Sequence, residues 1–161
     1  MLSIRQAKFE DLESILLVYE AARQFMRSHD NPTQWQGGYP YREVLEEDIE
    51  IGQLYVAELD EEIRGVFALI PGIDPTYGYI DGTWHYEGPY AAIHRVASSG
   101  KAKGVLAACV AYCGERHPHL RIDTHKDNYV MQKALAKLGF SQCGIIYLEN
   151  GDPRIAYDRL G

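Results

Sequence analysis

The sequence contains little cysteine. Its three thiols, Cys109, Cys113 and Cys143, are too few for the disulfide framework of a small secreted domain. Cys109 and Cys113 lie four residues apart in a helix-forming segment, and therefore on one face of the helix. We predict that both are buried as small hydrophobic side chains.

Long apolar runs are also missing. No stretch approaches the roughly 20 apolar residues that a membrane-spanning helix needs. The N-terminus reads MLSIRQAKFEDLE, in which charges occur too early for a signal peptide. These absences predict a cytoplasmic protein without a membrane partner.

Positive charge is in the minority. The chain has 16 Lys and Arg against 23 Asp and Glu, which gives a net charge of −7 with histidine neutral. Such a balance disfavours non-specific binding to nucleic acid or anionic membranes. The pair His117 and His119 has no further histidine or cysteine partners at zinc-ligand spacing, so we expect a loop there and no bound metal.

The apolar spacing predicts a mixed α/β domain. It indicates a strand, two helices, several strands, a helix, a strand, a helix and a closing hairpin. The predicted strands are LSIRQA, QLYVAEL, EIRGVFALI, AAIHRVA, LRIDTH, GIIYL and RIAYDRL. The predicted helices are the segment from Leu12 to Met26, YREVLEEDIEIG, GKAKGVLAACVAYCGERH and NYVMQKALAKLGF. Strands and helices do not alternate throughout, so a mixed sheet covered by helices is favoured over a doubly wound sheet, in a single domain of residues 1–161.

The stretch RVASSGKAKGVLAAC carries the clearest functional signal. A predicted strand leads into a loop of small residues with two lysines, and a helix follows. The first amides of a helix lack intrahelical partners and lie at the positive end of its dipole, so they suit a phosphate group. The Walker and dinucleotide-binding glycine spacings are both absent. An ordinary strand-to-helix turn remains the alternative interpretation.

The loop Gly100-Lys101-Ala102-Lys103-Gly104 resembles the signature loop of the GCN5-related N-acetyltransferase (GNAT) family, [RQ]-x-x-[GA]-x-[GA]. Ser99 departs from the pattern, because it stands where the family usually has Arg or Gln. The segment IDTHKDNYVMQKALAKLGF is similar to the family's next strand and helix, with Asn128 at the helix start and Gly-Phe at its end. IRQAKFEDLESI is similar to the first strand and helix, so the resemblance covers nearly the whole chain.

The resemblance implies a fold and a cofactor site. The expected sheet is mixed, mostly antiparallel and splayed between the fourth strand (AAIHRVA) and the fifth (LRIDTH), with helices on both faces. Acetyl-CoA would lie in that opening, with its pyrophosphate on the loop amides and its pantetheine arm along the fourth strand. The N–H of Val96 or of its neighbour would stabilise the oxyanion at the thioester, and Asn128 would bind the pantetheine arm. The cofactor-binding residues so implied are Arg95, Val96, Ala97, Ser99, Gly100, Lys101, Ala102, Lys103, Gly104, Val105 and Asn128.

The implied activity is transfer of acetyl from acetyl-CoA to a primary amine of a small molecule or peptide, by direct attack. Many family members have a tyrosine acid on the last helix, but this chain has Leu135 there. We name His94 and His125 as candidate proton relays and Tyr147 as the replacement acid, with simple packing as the alternative for each. Because the usual acid is missing, a non-catalytic acyl-CoA-binding module is the alternative function.

The acceptor pocket is expected in loops rich in aromatic residues. Trp35, Tyr39, Tyr77 and Trp84 are the candidate substrate-binding residues. The segment from Tyr77 to Tyr90 has a second interpretation, as a flap packed on the body of the protein or on a second copy. Within the family, a homodimer through the C-terminal hairpin is an open option.

Overall fold

The computed structural model describes all 161 residues as one eight-stranded sheet with four α-helices. The strands are β1 (Ser3–Gln6), β2 (Leu54–Leu59), β3 (Glu62–Pro71), β4 (Asp81–Gly82), β5 (Ala91–Ser98), β6 (His119–Thr124), β7 (Ser141–Tyr147) and β8 (Pro153–Leu160). The helices are α1 (Leu12–Ser28), α2 (Arg42–Ile51), α3 (Val105–Arg116) and α4 (Tyr129–Lys137). The predicted fourth and fifth strands are therefore β5 and β6, because the two-residue β4 precedes them.

The sheet has the order β1-β2-β3-β5-β6-β8-β7-β4. Every neighbouring pair is antiparallel except β5 and β6, which are parallel and pair only at Ala91–Leu120 and Ala92–Arg121. Beyond Ala92, the edge of β5 that faces β6 is unpaired. The predicted mixed, mostly antiparallel sheet that splays between these two strands is confirmed.

Helices cover both faces of the sheet. Adjacent residues of β3 alternate between two buried clusters: Val66 and Ala68 pack with α1 and α2, while Phe67 and Leu69 pack with α3 and α4. This alternation follows the two-residue period of a strand. Cys109 and Cys113 are both fully buried in the second cluster, as predicted.

The predicted helix ends are largely confirmed. α1 ends before Asn31, α2 ends at Gly52 in a left-handed conformation, and Asn128 caps α4. The prediction for α3 was wrong at its start, because the helix begins at Val105 and not at Gly100. Gly100 and Gly104 have φ angles of 79° and 75°, which interrupt the helix and keep the segment between them as a loop.

Residues 72–90 form a flap that packs on the body of the same chain. The flap contains a 3-10 turn at Pro75–Tyr77, and its strand β4 pairs with β7 at the sheet edge. Tyr77 is buried with Ala92, Ile146 and Ala156 in a third cluster.

No helix of the chain is both long and apolar enough to cross a membrane.

Candidate active site

The opening between β5 and β6 forms a cleft of about 1360 Å³. Its lining comes from β5, the start of α3, one face of α4, the end of α1 and the loops that carry Trp35 and Asn150. The cleft lies where the resemblance predicts the coenzyme. Of the predicted cofactor-binding residues, it brings together Arg95, Val96, Ala97, Ser99, Gly100, Val105 and Asn128.

A β-bulge distorts β5 where the strand lines the cleft. Val66 pairs with Ala97 and Ala68 pairs with His94, so both Arg95 and Val96 lie opposite Phe67. Arg95 has a φ angle of 52°, unusual for a residue with a side chain. A bulge leaves backbone groups outside the strand ladder and re-aims them. The bulge thus changes the direction of the backbone at Arg95 and Val96, where β5 lines the cleft.

Two buried side chains hold this bulge. The hydroxyl of Tyr19 donates to the carbonyl oxygen of Arg95 at 2.7 Å, and burial raises the pKa of that hydroxyl, so it remains a donor. The Arg95 guanidinium donates to both carboxylate oxygens of Asp48 at 2.9 Å. Burial disfavours the charge on Arg95, but the interactions with Asp48, Tyr39 and Tyr19 together outweigh the burial and raise the pKa of the guanidinium. The charged group of Arg95 is therefore committed to Asp48, and only its backbone remains for the cofactor role predicted for it.

Neither Tyr19 nor Asp48 was predicted as a site residue. A signal for Asp48 was present, because this acid follows Leu45 and precedes Ile49 on the buried face of α2. A carboxylate on an apolar helix face needs a charged partner. Nothing in the sequence pointed to Arg95 as that partner.

The loop before α3 leaves a run of amides free. The Gly100 and Lys101 amides donate to the hydroxyls of Ser98 and Ser99 at 3.1 and 3.2 Å. The amides of residues 102–107 have no acceptor in the protein, and the first helical bond is that of Ala108 to the Gly104 carbonyl. Free amides at a helix start bind anions, with the positive end of the dipole behind them. The loop thus fits a diphosphate, with Lys101 and Lys103 exposed beside it.

The helix α4 lines the opposite side of the cleft with Val130, Met131 and Ala134. The side chain of Asn128 caps this helix: its Oδ1 accepts from the backbone amide of Met131 at 3.1 Å, and its Nδ2 donates to Gln34 Oε1 at 3.0 Å. Leu135, at the position of the family's tyrosine, is fully buried in the core. α4 therefore offers no acidic hydroxyl to the cleft.

His94 is the histidine that β5 presents to the cleft. Its Nε2 lies 2.6 Å from Asp74 Oδ2, and Asp74 Oδ1 accepts from the amide and hydroxyl of Thr76. Burial raises the pKa of Asp74, but the hydrogen bonds from His94 and Thr76 outweigh it and lower this pKa to about 2. An ionised Asp74 requires a proton on Nε2, so Nδ1 of His94 is the nitrogen that can accept one.

Tyr77 supports the floor of the cleft from beneath. Its hydroxyl donates to Asp123 Oδ2 at 2.7 Å, and Asp123 lines the cleft at the end of β6. Burial, and then the charge of Asp123, raise the pKa of Tyr77 well above its ordinary value. The ring of Tyr77 is almost fully buried, so it positions Asp123 and does not itself face the cleft.

The other predicted site residues divide into two groups. Trp35 and Tyr39 line the cleft. Trp84 lies outside it, with the Arg121 guanidinium 3.9 Å above its ring. Tyr147 is exposed at the end of β7 beside Tyr79, also outside the cleft.

His125 lies just outside the cleft as well. Its Nε2 is 2.9 Å from the Thr33 hydroxyl, and its Nδ1 accepts from the Asp127 amide at 3.0 Å. It lines a smaller neighbouring pocket of about 330 Å³. Burial, assisted by the charge of Arg154, lowers the pKa of His125. Both ring nitrogens have protein partners, so His125 is poorly placed to relay protons in the cleft.

Similarity to known proteins agrees with this architecture. No protein-family model and no curated sequence matched the chain. A GNAT family acetyltransferase of Streptococcus agalactiae is 31% identical, with a TM-score of 0.85 over 99% of this chain and 95% of that one. A Staphylococcus aureus protein assigned as an acetyltransferase is 27% identical, with a TM-score of 0.70 over 98% and 97%. A GNAT family acetyltransferase of Listeria monocytogenes shares the fold at 18% identity, with a TM-score of 0.72 over 99% and 95%. The splayed sheet, the loop of free amides and the first of these similarities together show that the chain belongs to the GNAT family of acetyltransferases.

Proposed function

We propose that this protein transfers the acetyl group of acetyl-CoA to a primary amine of a small molecule or peptide. The observation that carries the proposal is the run of unpartnered amides at residues 102–107, which continues from the open edge of β5. A diphosphate on those amides would leave the rest of the coenzyme to extend along β5. Acetyl-CoA supplies an acyl group activated as a thioester.

The chain's own groups account for binding. The amides of the loop and of the first turn of α3 would hold the diphosphate, with the two lysines as counter-charges. The open edge of β5 offers backbone donors and acceptors to the amides of the pantetheine arm, as an added strand would use them. A backbone amide at the bulge of Arg95 and Val96 would stabilise negative charge on the thioester carbonyl oxygen.

We assign to His94 the removal of a proton from the acceptor amine. An alkyl amine in water has a pKa of about 10 and is almost fully protonated at neutral pH. A base must therefore take a proton from the amine before the amine can attack the thioester. Nδ1 of His94 is available because Asp74 holds Nε2. The leaving thiolate needs little help from an acid, because the pKa of its thiol is about 8.5. The reaction is therefore compatible with a buried Leu135 at the position of the family's tyrosine acid.

We assign acceptor binding to the part of the cleft that Trp35, Tyr39 and Asp123 line. Trp35 and Tyr39 provide an aromatic wall, and Asp123 provides a negative charge for an ammonium group before it loses its proton. The acceptor is thus expected to be an amine carried on an apolar or aromatic body.

Binding of the coenzyme is tested by thermal unfolding with CoA, ATP and NAD. CoA at 100 times its dissociation constant would stabilise the fold by about 2.7 kcal/mol, which corresponds to roughly 5–10 °C for a chain of this length. ATP and NAD should produce little shift. A CoA shift no larger than that of ATP would contradict the loop assignment.

Turnover is tested by thiol release from acetyl-CoA over a panel of amines. We expect release with at least one alkyl amine that carries an apolar or aromatic body, above the rate without amine. Binding of CoA with no release over a broad panel would favour the acyl-CoA-binding module instead. The two assays thus separate failure of binding from failure of catalysis.

A further inference from the structure

Three side chains that ligate metals converge far from the cleft, where the flap meets β7 and β8. They are His85, Cys143 and Asp158, whose ligand atoms all lie within 4.8 Å of one another. His85 Nδ1 is 2.9 Å from Asp158 Oδ1 and 3.2 Å from Cys143 Sγ. The proposed acetyl transfer uses none of these residues.

The fold brings these ligands together from three separate segments. Cys143 lies at a β-bulge in β7, between the paired positions Gln142 and Gly144. Asp158 lies on β8, fully buried, and the amides of His85 and Tyr86 donate to its Oδ2 at 2.7 and 3.1 Å. Those two bonds fix the carboxylate and leave its Oδ1 facing the imidazole and the thiol. An outer set of hydrogen bonds that orients a ligand in this way is typical of metal sites.

We propose that His85, Cys143 and Asp158 bind one zinc ion through Nδ1, Sγ and Oδ1, with solvent in the fourth position. Zinc accepts nitrogen, sulfur and oxygen ligands in a tetrahedron, at about 2.0–2.3 Å. Ligand atoms at these bond lengths around a tetrahedral ion lie about 3.3–3.6 Å apart. His85 Nδ1 is 2.9 Å from Asp158 Oδ1 and 3.2 Å from Cys143 Sγ, so a small outward shift of the imidazole would admit the ion. A set that includes a thiol favours zinc over magnesium or calcium.

Charge and access agree with this assignment. On binding, the Cys143 thiol gives its proton to solvent, and the proton that His85 Nδ1 shares with Asp158 moves through solvent to Nε2, which leaves Nδ1 free to bind the ion. The thiolate and the Asp158 carboxylate then balance the two positive charges of zinc. The side chain of His85 is 46% exposed while that of Asp158 is fully buried, so an ion can enter from the histidine side. The bound ion would join the flap to β7 and β8. Because Asp74 lies on the same flap and holds His94, the ion would also steady the cleft wall from a distance.

The test uses the full chain without a histidine tag, stripped of metal with a chelator. Cobalt(II) replaces zinc in such sites and gives a thiolate charge-transfer absorption together with visible bands of a tetrahedral ion. We expect both signals to saturate at one cobalt per chain and to disappear when zinc is added. Zinc should also raise the melting temperature.

Two variants assign the ligands. Cys143→Ser should abolish the charge-transfer absorption, and His85→Ala should weaken zinc binding by more than about 100-fold, because losing a direct ligand exceeds the roughly 10–100-fold loss of an outer-shell partner. Cys113→Ala and His117→Ala remove a thiol and a histidine outside the cluster and should bind zinc as the parent does. Circular dichroism confirms that each variant is folded.

The outcomes that overturn the proposal are equally specific. A parent protein with no cobalt absorption at stoichiometric metal has no such site. Equal zinc affinity in the parent and in Cys143→Ser would place the metal on other residues. A loss of binding in His117→Ala alone would move the site to His117 and His119, at the start of β6. None of these readings depends on acetyl transfer, so they leave the proposed function untouched.

Discussion

At the scale of single residues, the hydrogen-bonded pair His94 and Asp74 decides how protons are transferred in the cleft. Their atoms are 2.6 Å apart, and the carboxylate is kept ionised by the hydrogen bonds that it accepts. Asp74 acts through His94 and is a positioning residue.

The kinetic prediction concerns His94→Ala. We expect kcat to fall by about 10²- to 10⁴-fold, the usual contribution of a positioned base, while CoA affinity stays nearly constant. The acid limb of the pH–rate profile should flatten, because the titrating base is gone. His117→Ala, at the far end of α3, is the matched control and should leave both parameters unchanged. An unaltered pH–rate profile in His94→Ala would remove His94 from the mechanism.

The thermodynamic prediction concerns Asp74→Asn. The pKa of Asp74 falls from 3.8 to about 2 in the folded chain, and its side chain is only 17% exposed. A carboxyl with a lowered pKa stabilises the fold above its unfolded pKa, and this contribution is lost as pH falls through the folded pKa. The lowering corresponds to about 2 kcal/mol at neutral pH.

Urea unfolding measured from about pH 7 down to about pH 2 tests this sign. Asp74→Asn should be less stable than the parent at neutral pH, and the difference should shrink below about pH 4 as the parent loses its ionised carboxyl. Asp60→Asn is the control, because Asp60 is exposed in a turn whose φ of 54° asparagine accepts. A stability difference that does not change with pH would rule out this linkage.

At the scale of elements, the junction of β5 and α3 governs anion binding. Gly65 on β3 leaves room for Val105, the first residue of α3, so the helix start packs against the sheet next to the bulge. Gly100 and Gly104, with their positive φ angles, then let the loop turn. Packing, and not only the composition of the loop, therefore places the free amides beside the open strand edge.

Substitution of Gly104 tests this junction. A Cβ at Gly104 meets no atom within 4 Å, so Gly104→Glu adds a left-handed backbone cost of about 1–2 kcal/mol but no clash. Its carboxylate would occupy the anion site, and CoA affinity should fall by more than about tenfold. Gly88→Glu is matched, because Gly88 also has a positive φ and open space. Isothermal titration of CoA into both variants separates the effect of backbone strain from the loss of the anion site. Equal CoA affinity in the two variants would contradict the assignment of this loop as the anion site.

At the scale of the whole molecule, the sheet consists of two halves joined by a narrow seam. The strands β1, β2, β3 and β5 form one half, and β6, β8, β7 and β4 form the other. Only two residue pairs, Ala91–Leu120 and Ala92–Arg121, connect them. The cleft is the space that remains because this seam does not continue.

Hydrogen exchange on the whole chain tests how a coenzyme fills that space. Peptides that cover residues 93–107 should exchange more slowly with saturating CoA, because the open strand edge and the free amides gain partners. Peptides from β7 and β8 should be unaffected and serve as the internal control. Slowing spread evenly over the chain would indicate general stabilisation without strand-like pairing at β5.

The sequence alone determined the features that depend on neighbours along the chain. Glycines and asparagine at helix ends, the period of apolar residues and the small-residue loop are local signals, and they predicted the elements, their order and the anion-binding turn. The start of α3 was misplaced because Ala and Lys between the glycines favour helix, while the left-handed Gly104 prevents it.

Only the tertiary structure decided the partners of the reactive side chains. His94 meets Asp74 across 20 positions, Arg95 meets Asp48 across 47, and His85 meets Asp158 across 73. Sequence spacing carries no record of such pairs, because they form where a bulge or a flap packs against the sheet. The physical reason is that hydrogen bonds and metal ligation act over about 2–3 Å, a distance that the folded backbone sets and the order of residues does not.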